Sequence, residues 1–154
     1  MISRRNGVAE WRPIPGYEHT YEVSDTGQIN SKARPRTRGG LLKLKVNARG
    51  YWAVSLVAGG VQTTHEVHRL VALAFLGPRP PQAQVRHLDG DRLNCSAENL
   101  AYGTHSDNLL DAVRHGTHPT ASRTHCPQGH EYTSENTRVT PSRPNARYCK
   151  ACYR

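Results

Sequence analysis

Residues 84–108 read QVRHLDGDRLNCSAENLAYGTHSDN, and the fold turns on this stretch. Gln84 to Leu88 reads as a short strand. Asp89-Gly90-Asp91 is a turn signature, and Asn94 to Asn99 is a polar loop. Leu100 to Gly103 makes a second strand. A helix is predicted from near Ser106, with Leu109, Leu110 and Val113 as its buried side and Gly116 placed to end it. The unit is strand, long loop, strand, helix. Within it His87, Asn99 and Asn108 stand 12 and 9 residues apart.

Those three residue types suit the hydrolysis of a phosphodiester. The reaction needs an activated water, neutralisation of developing charge and help for the leaving oxygen. A neutral His is the natural base near pH 7. A hard divalent cation held by oxygen ligands can stabilise the phosphate and the departing alkoxide. Asn99 can hold the imidazole in one tautomer through its side-chain carbonyl, and Asn108, in the first turn of the helix, can offer an oxygen to the metal. The chemistry asks that His87 face a cation near Asn108. Asp89 and Asp91 are read as turn residues before ligands, and His105 as a helix-start residue.

Upstream, Leu41 to Thr64 is strand-like, with Trp52, Val54 and Leu56 alternating and Ala58-Gly59-Gly60 as the turn. A helix follows, with Thr63 and Glu66 spaced as a capping box, Val67, Leu70, Val71, Ala74 and Phe75 on one face, and Gly77-Pro78 as the stop. His65 and His68 lack the spacing of a zinc-protease motif and read as structural. Further back, Tyr21, Val23 and Ile29 flank an Asp-Thr-Gly turn, which predicts a short hairpin. Between hairpin and strands, arginines at every second position, Arg34, Arg36 and Arg38, can follow a phosphate backbone if the chain is extended there; a solvated loop is the alternative.

Charge supports a polyanionic partner. The 154 residues carry a formal +9. Residues 1–50 hold ten Lys/Arg against four acids, 51–116 five against six, and 117–154 six against two. Basic arms thus flank a near-neutral centre. No apolar run approaches a membrane span and the N-terminus lacks a signal-peptide pattern, so a cytosolic protein is expected. Three of the four cysteines, Cys126, Cys149 and Cys152, crowd the last 29 residues, while Cys95 stands alone. Cys126 and His130 form one close pair and Cys149 and Cys152 another, which is the spacing of a tetrahedral structural Zn²⁺ site. Few aromatics are identifiable for stacking on single-stranded bases.

The string from Val85 to Asn108 resembles the core of phage HNH endonucleases, of the ββα-metal superfamily. EWRPIPGYEHTYEVSDTGQINS resembles the small NUMOD4-like module that often precedes that core in homing nucleases, and VHRLVALAFLGPRP the helix leading into it. CPQGHEY and CKACYR resemble zinc knuckles appended to phage HNH proteins. Carried over, the resemblance implies His87 as general base, Asn99 as the residue orienting it, and Asn108 as ligand to catalytic Mg²⁺ or Mn²⁺. It implies an α+β fold with an N-terminal antiparallel module over 1–62, the nuclease core over 63–116 and a zinc knuckle over 117–154. The partner implied is double-stranded DNA, contacted through Arg34, Arg36, Arg38, Lys43, Lys45, Arg49 and Arg86, by a monomer that nicks or a homodimer that cuts both strands. One position departs from the pattern. Where the family often has Asp or Asn as a second metal ligand, this chain has Arg86, which cannot bind a cation. Three options follow: the ion is held by Asn108, phosphate, water and a carboxylate such as Asp89; Arg86 grips the scissile phosphate; or the chain is a DNA-binding protein with weak or no catalysis.

Overall fold

The computed structural model describes residues 8–121 and 123–153. Arg154, expected on the surface of the knuckle, lies outside them. The chain divides into two units, one up to His115 and one from Gly116.

The first unit opens with an antiparallel sheet of β1 (Trp11–Pro13), β2 (Tyr21–Ser24), β3 (Ile29–Ser31) and β4 (Gly40–Leu41), in that order. The predicted hairpin forms, Val23 opposite Ile29 and Tyr21 opposite Ser31. Its inward residues Tyr21, Val23 and Ile29 are buried. A second sheet follows, β5 (Lys45–Val46), β6 (Trp52–Ala58) and β7 (Val61–Glu66), with Gly59 and Gly60 in the turn. On β6 the alternation holds, and Val54 and Leu56 are buried while Ser55 is exposed.

Helix α1 (Val67–Phe75) starts where β7 stops. The expected capping box does not form: Thr63 pairs with Leu56 in the β6–β7 ladder, and Glu66 is the N-cap without a side-chain cap bond. The ladder satisfies the backbone as far as Glu66, so the helix begins only when pairing ends. Val67, Leu70, Val71 and Phe75 face one core together with Ile14, Val23, Ile29, Leu56 and Leu100. The stretches 1–62 and 63–116, expected as separate modules, therefore share a single core. Their junction is close. Ala97 N–H donates to the Asp25 carbonyl at 2.7 Å. Gly27, at φ +88°, lies so near Cys95 that a Cβ there would stand 2.8 Å from the Cys95 Cβ.

The strand–loop–strand–helix unit is present. β8 (Gln84–His87) pairs antiparallel with β9 (Leu100–Gly103), Gln84 opposite Gly103 and His87 opposite Leu100. Helix α2 (His105–Arg114) is started by a complete capping box between Thr104 and Asp107. Its packing differs from expectation. Leu109, Leu110 and Val113 are 43%, 55% and 46% exposed, and the buried residue of α2 is Asp111. The helix is held to the sheet by an ion pair, and its apolar stripe faces away from the core.

The second unit holds a hairpin of β10 (Thr137–Thr140) and β11 (Arg143–Cys149), followed by a 3-10 turn, Lys150–Tyr153. Among the described residues no helix is long and apolar enough to cross a membrane. The architecture is α+β with small antiparallel sheets and few helices.

Candidate functional site

His87 ends β8 and its ring sits in an aromatic cup. The rings of His68, from α1, and Tyr51 lie 5.0 and 5.9 Å from it, and Tyr51 and His68 are 4.8 Å apart. The His87 Nε2 is buried and has no hydrogen-bond partner. The residue as a whole is half-buried. Burial holds the His87 pKa below its ordinary value; Asp89 and Asp91 oppose that shift and Arg92 reinforces it. The imidazole is therefore neutral at pH 7. His68 is more extreme, pushed down to about 3 by burial, with His87 and Arg69 adding to the effect. Arg92 stands over the Tyr51 ring at 5.4 Å and donates to the Arg49 carbonyl at 3.1 Å, which fixes a cation at the mouth of the cup.

The opposite face of β8 carries Gln84 and Arg86, because side chains alternate along a strand. Asn108 donates from Nδ2 to Gln84 Oε1 at 2.7 Å. Arg86 grips Asp111 with two bonds, Nε to Oδ2 at 2.7 Å and Nη2 to Oδ1 at 3.0 Å. This bidentate pair lowers the Asp111 pKa chiefly through the hydrogen bonds. Gly103 makes room for it, since a Cβ there would overlap the Arg86 Cδ. No hydrogen bond joins His87 to Asn108. Asn108 is joined instead to Gln84, the first residue of β8, whereas His87 is the last and points to the other face.

Asn99 also works differently from the expectation. Its Oδ1 accepts from Asp89 N–H at 3.0 Å, and its Nδ2 donates to Asp89 Oδ1 at 2.8 Å and to the Asn94 carbonyl at 2.9 Å. The side chain clasps the loop that follows His87 and does not bond the imidazole. Its backbone carbonyl receives Leu88 N–H at 2.9 Å, which anchors the residue next to His87. Asn99 thus holds the loop that follows His87.

A strand-end histidine, a looped asparagine and an asparagine on a following helix form the pattern against which known proteins are compared. Residues 65–110 match the HNH endonuclease family and residues 10–57 match the NUMOD4 motif. This unit belongs to the HNH endonuclease family. The chain is 36% identical over 108 residues to the DNA endonuclease I-HmuI of Bacillus phage SP01, covering 70% of this chain and 60% of that protein. An HNH endonuclease of Acanthamoeba polyphaga mimivirus is 36% identical over 110 residues, covering 71% of this chain and 31% of its own length. Among solved structures, one describing DNA binding and cleavage by the HNH homing endonuclease I-HmuI matches with a TM-score of 0.63 at 35% identity, over 70% of this chain and 60% of that one.

HNH nucleases use a divalent metal, and the donors on the α2 face of this HNH unit are few. Gln84 Oε1 accepts from Asn108, and Asp111 accepts from Arg86 and Arg114. The Asn108 amide oxygen is not engaged in a hydrogen bond among the described residues, and Arg86 stands at the position where the family often has a second ligand.

Of the residues expected on DNA, Arg36, Arg38, Lys43, Lys45 and Arg49 are exposed. Arg34 is folded back, donating to Ser31 Oγ at 3.0 Å and lying over the Tyr21 ring at 5.3 Å. The expected extended run is replaced by a turn in which Arg34 and Thr37 bridge and Arg36 takes φ 69°. Arg86 is engaged by Asp111 through Nε and Nη2. Tyr51, His68 and Arg92 were not singled out from sequence as parts of a site. The one available signal was a histidine on the apolar stripe of VHRLVALAF.

In the second unit Cys126, His130, Cys149 and Cys152 converge, their donor atoms all within 4.8 Å of one another. Cys126 Sγ stands 3.6 Å from both His130 Nδ1 and Cys152 Sγ, and His130 Nδ1 stands 3.3 Å from Cys152 Sγ. The three distances among Cys126, His130 and Cys152 are of the size that separates neighbouring ligands of one tetrahedral Zn²⁺, and Cys149 stands within 4.8 Å of them. Gly129, at φ 83°, closes the first turn. Asn136 closes the second, its Oδ1 accepting from Ala151 N–H at 2.9 Å and its Nδ2 donating to Cys149 Sγ at 3.4 Å.

Proposed function

We propose that the chain hydrolyses phosphodiester bonds of double-stranded DNA, with His87 as general base. It spans 60% of the length of I-HmuI, so activity and substrate are assigned here by inference. The observation that carries the reading is the His87 ring, held neutral by burial, with its Nε2 enclosed and without a partner. Nδ1 can accept a proton from water only if Nε2 holds the ring hydrogen. The enclosing rings favour that tautomer, since an N–H rests on an aromatic face better than a bare lone pair does. Water deprotonated at Nδ1 attacks phosphorus, the P–O3′ bond breaks, and the ends are 5′-phosphate and 3′-hydroxyl.

The phosphate would lie at the His87 end of β8. Arg92 stands where it can take a phosphate oxygen. Asn108 would hold a catalytic Mg²⁺ or Mn²⁺, which supplies neutralisation of the phosphate charge when bound. Arg36, Arg38, Lys43, Lys45 and Arg49 would run along the backbone, and each contact made adds to the salt dependence of binding. In the second unit the four donors suit a structural Zn²⁺, since a closed Cys₃His set leaves no position for substrate. A single HNH site in a monomer nicks one strand, and cutting both takes a homodimer.

The Arg86–Asp111 pair favours a second reading, a DNA-binding protein that does not cut. A supercoiled-plasmid assay with Mg²⁺ or Mn²⁺ against EDTA decides between them. His87→Ala should lower nicking by about 10²–10⁴-fold, the usual worth of a general base, with DNA affinity unchanged. Nicking by His87→Ala at the parent rate refutes the assignment of the base.

A further inference from the structure

The second unit carries a cleft that the nuclease reading does not use. It encloses about 470 Å³ and is lined by Arg138, Thr140, Tyr148, Cys149, Lys150 and Tyr153. The register of the hairpin builds it: Arg138 on β10 lies directly opposite Tyr148 on β11. The 3-10 turn then brings Lys150 and Tyr153 round to the same place. Tyr153 packs its ring edge-to-face on Tyr148, with centroids 6.3 Å apart and planes at 79°, yet remains 78% exposed. One aromatic is the fixed support and the other is a free platform. Two exposed cations, Arg138 and Lys150, share the cleft, and among the described residues no carboxylate lines it. Residues 117–154 contain just two acids, Glu131 and Glu135, and neither is in the lining.

We propose that this cleft binds an unpaired nucleotide of single-stranded DNA, its base stacked on Tyr153 and its flanking phosphates on Arg138 and Lys150. A cleft of a few hundred Å³ accommodates a ligand of nucleotide size. An aromatic platform with adjacent cations and no acid is the combination that holds single strands without reading their sequence. Duplex DNA cannot use the platform, because its base faces are covered by their neighbours in the stack. The cations alone would serve any polyanion; the exposed Tyr153 ring selects a strand with a free base. DNA, as opposed to RNA, is chosen because the same chain carries an HNH unit, and that clause alone rests on the proposed nuclease function. The cleft itself does not depend on cleavage.

The test uses the full zinc-loaded chain in EDTA-free, magnesium-free buffer, where no cutting confuses binding. Fluorescence anisotropy follows a labelled eight-nucleotide thymidine DNA, the matching RNA and a blunt duplex of the same length. Tyr153→Ala should weaken single-stranded DNA binding about tenfold and leave duplex binding within twofold, with zinc content unchanged. Tyr153→Phe should keep parent affinity. Arg138→Gln with Lys150→Gln should reduce the slope of log affinity against log salt by about 1.4, from about 0.7 per phosphate contact. Equal losses on duplex and single strand, or no loss with Tyr153→Ala, overturn the site. Tighter Tyr153-dependent binding of the RNA overturns its assignment to DNA. Absence of plasmid nicking by the parent would sink the nuclease reading and leave this result untouched.

Discussion

Arg86 and Asp111 meet as a two-bonded pair between strand β8 and helix α2, with side-chain exposures of 18% and 11%. Arg114 adds a third bond to the same carboxylate at 3.3 Å. The helix has turned its leucines outward, so this pair, together with the Asn108–Gln84 hydrogen bond, ties it to the sheet. Arg86→Ala would strand a largely buried carboxylate, and a loss of roughly 3 kcal/mol in unfolding free energy is expected. Arg86→Met with Asp111→Leu should recover most of it, because the two apolar chains fill the same space without an unpaired charge. Urea melts of the two singles and the double measure the coupling; additive losses would show that the pair holds nothing.

The buried histidines set an acid limit on stability. His68 has a folded-state pKa of about 3 against an ordinary 6.5, and His87 is displaced in the same direction. Between those values the unfolded chain binds more protons than the folded one, so stability rises with pH and is lost as pH falls below 6.5. From pH 6.5 to about 4.5, above the range where carboxylates contribute, the slope from His68 should approach about 1.4 kcal/mol per pH unit, with His87 adding in the same direction. His68→Phe should flatten it in thermal melts taken across that window. An unchanged slope would mean that His68 takes up its proton without cost.

Nicking should follow the same group. A base works deprotonated, and the His87 pKa is held down by burial. The rate should climb with pH on the acid side, reach half its maximum below 6.5 and be flat at neutrality. Of the groups facing the ring, Asp89 and Asp91 pull its pKa up, Arg92 pushes it down, and His68 and Tyr51 enclose it. Asp89→Asn should therefore move the acid limb to lower pH. A limb that stays in place when Asp89 changes would point to a different titrating group.

Asn99 is predicted to matter through its loop. Three hydrogen bonds tie it to Asp89 and Asn94. Asn99→Ala should cost roughly 1–2 kcal/mol and raise amide exchange over 89–95, with nicking reduced at least tenfold. Retained protection in that loop alongside lost nicking would give Asn99 a direct part in the chemistry.

Zinc removal should act on one unit alone. On the order of 10 kcal/mol of metal binding energy is available to fold a small zinc module. A chelator, or Cys149→Ser, should erase exchange protection from 124 to 153 and leave the core around Leu56 and Val71 protected. Metal analysis should return one zinc per chain before treatment and none after.

Much of this arrangement was legible in the residues. The hairpin at Asp25, the β6–β7 turn, the strand–loop–strand–helix order and the Cys/His pairs were each read from local chemistry, because turns, strict alternation and ligand spacing are short-range signals. Contacts decided at long range were not legible. Leu109, Leu110 and Val113 have the spacing of a buried stripe, yet Arg86, 25 residues before Asp111, determines which side of α2 meets the sheet. Thr63 and Glu66 have the spacing of a capping box, but pairing with β6 claims Thr63 first. His68 reads as a structural histidine, and nothing in its neighbourhood along the chain announces the His87 ring 5.0 Å away.

Gly103 is glycine for want of space and not for its backbone angles, since the stem of Arg86 runs where any side chain would go. The two positions are consequently coupled through one shared space. Exchanging Arg86 for a short acidic ligand would add an oxygen for the ion, but it would also open a void beside Gly103 and release Asp111. A laboratory graft of the usual ligand onto this scaffold should accordingly be made at 86, 103 and 111 together.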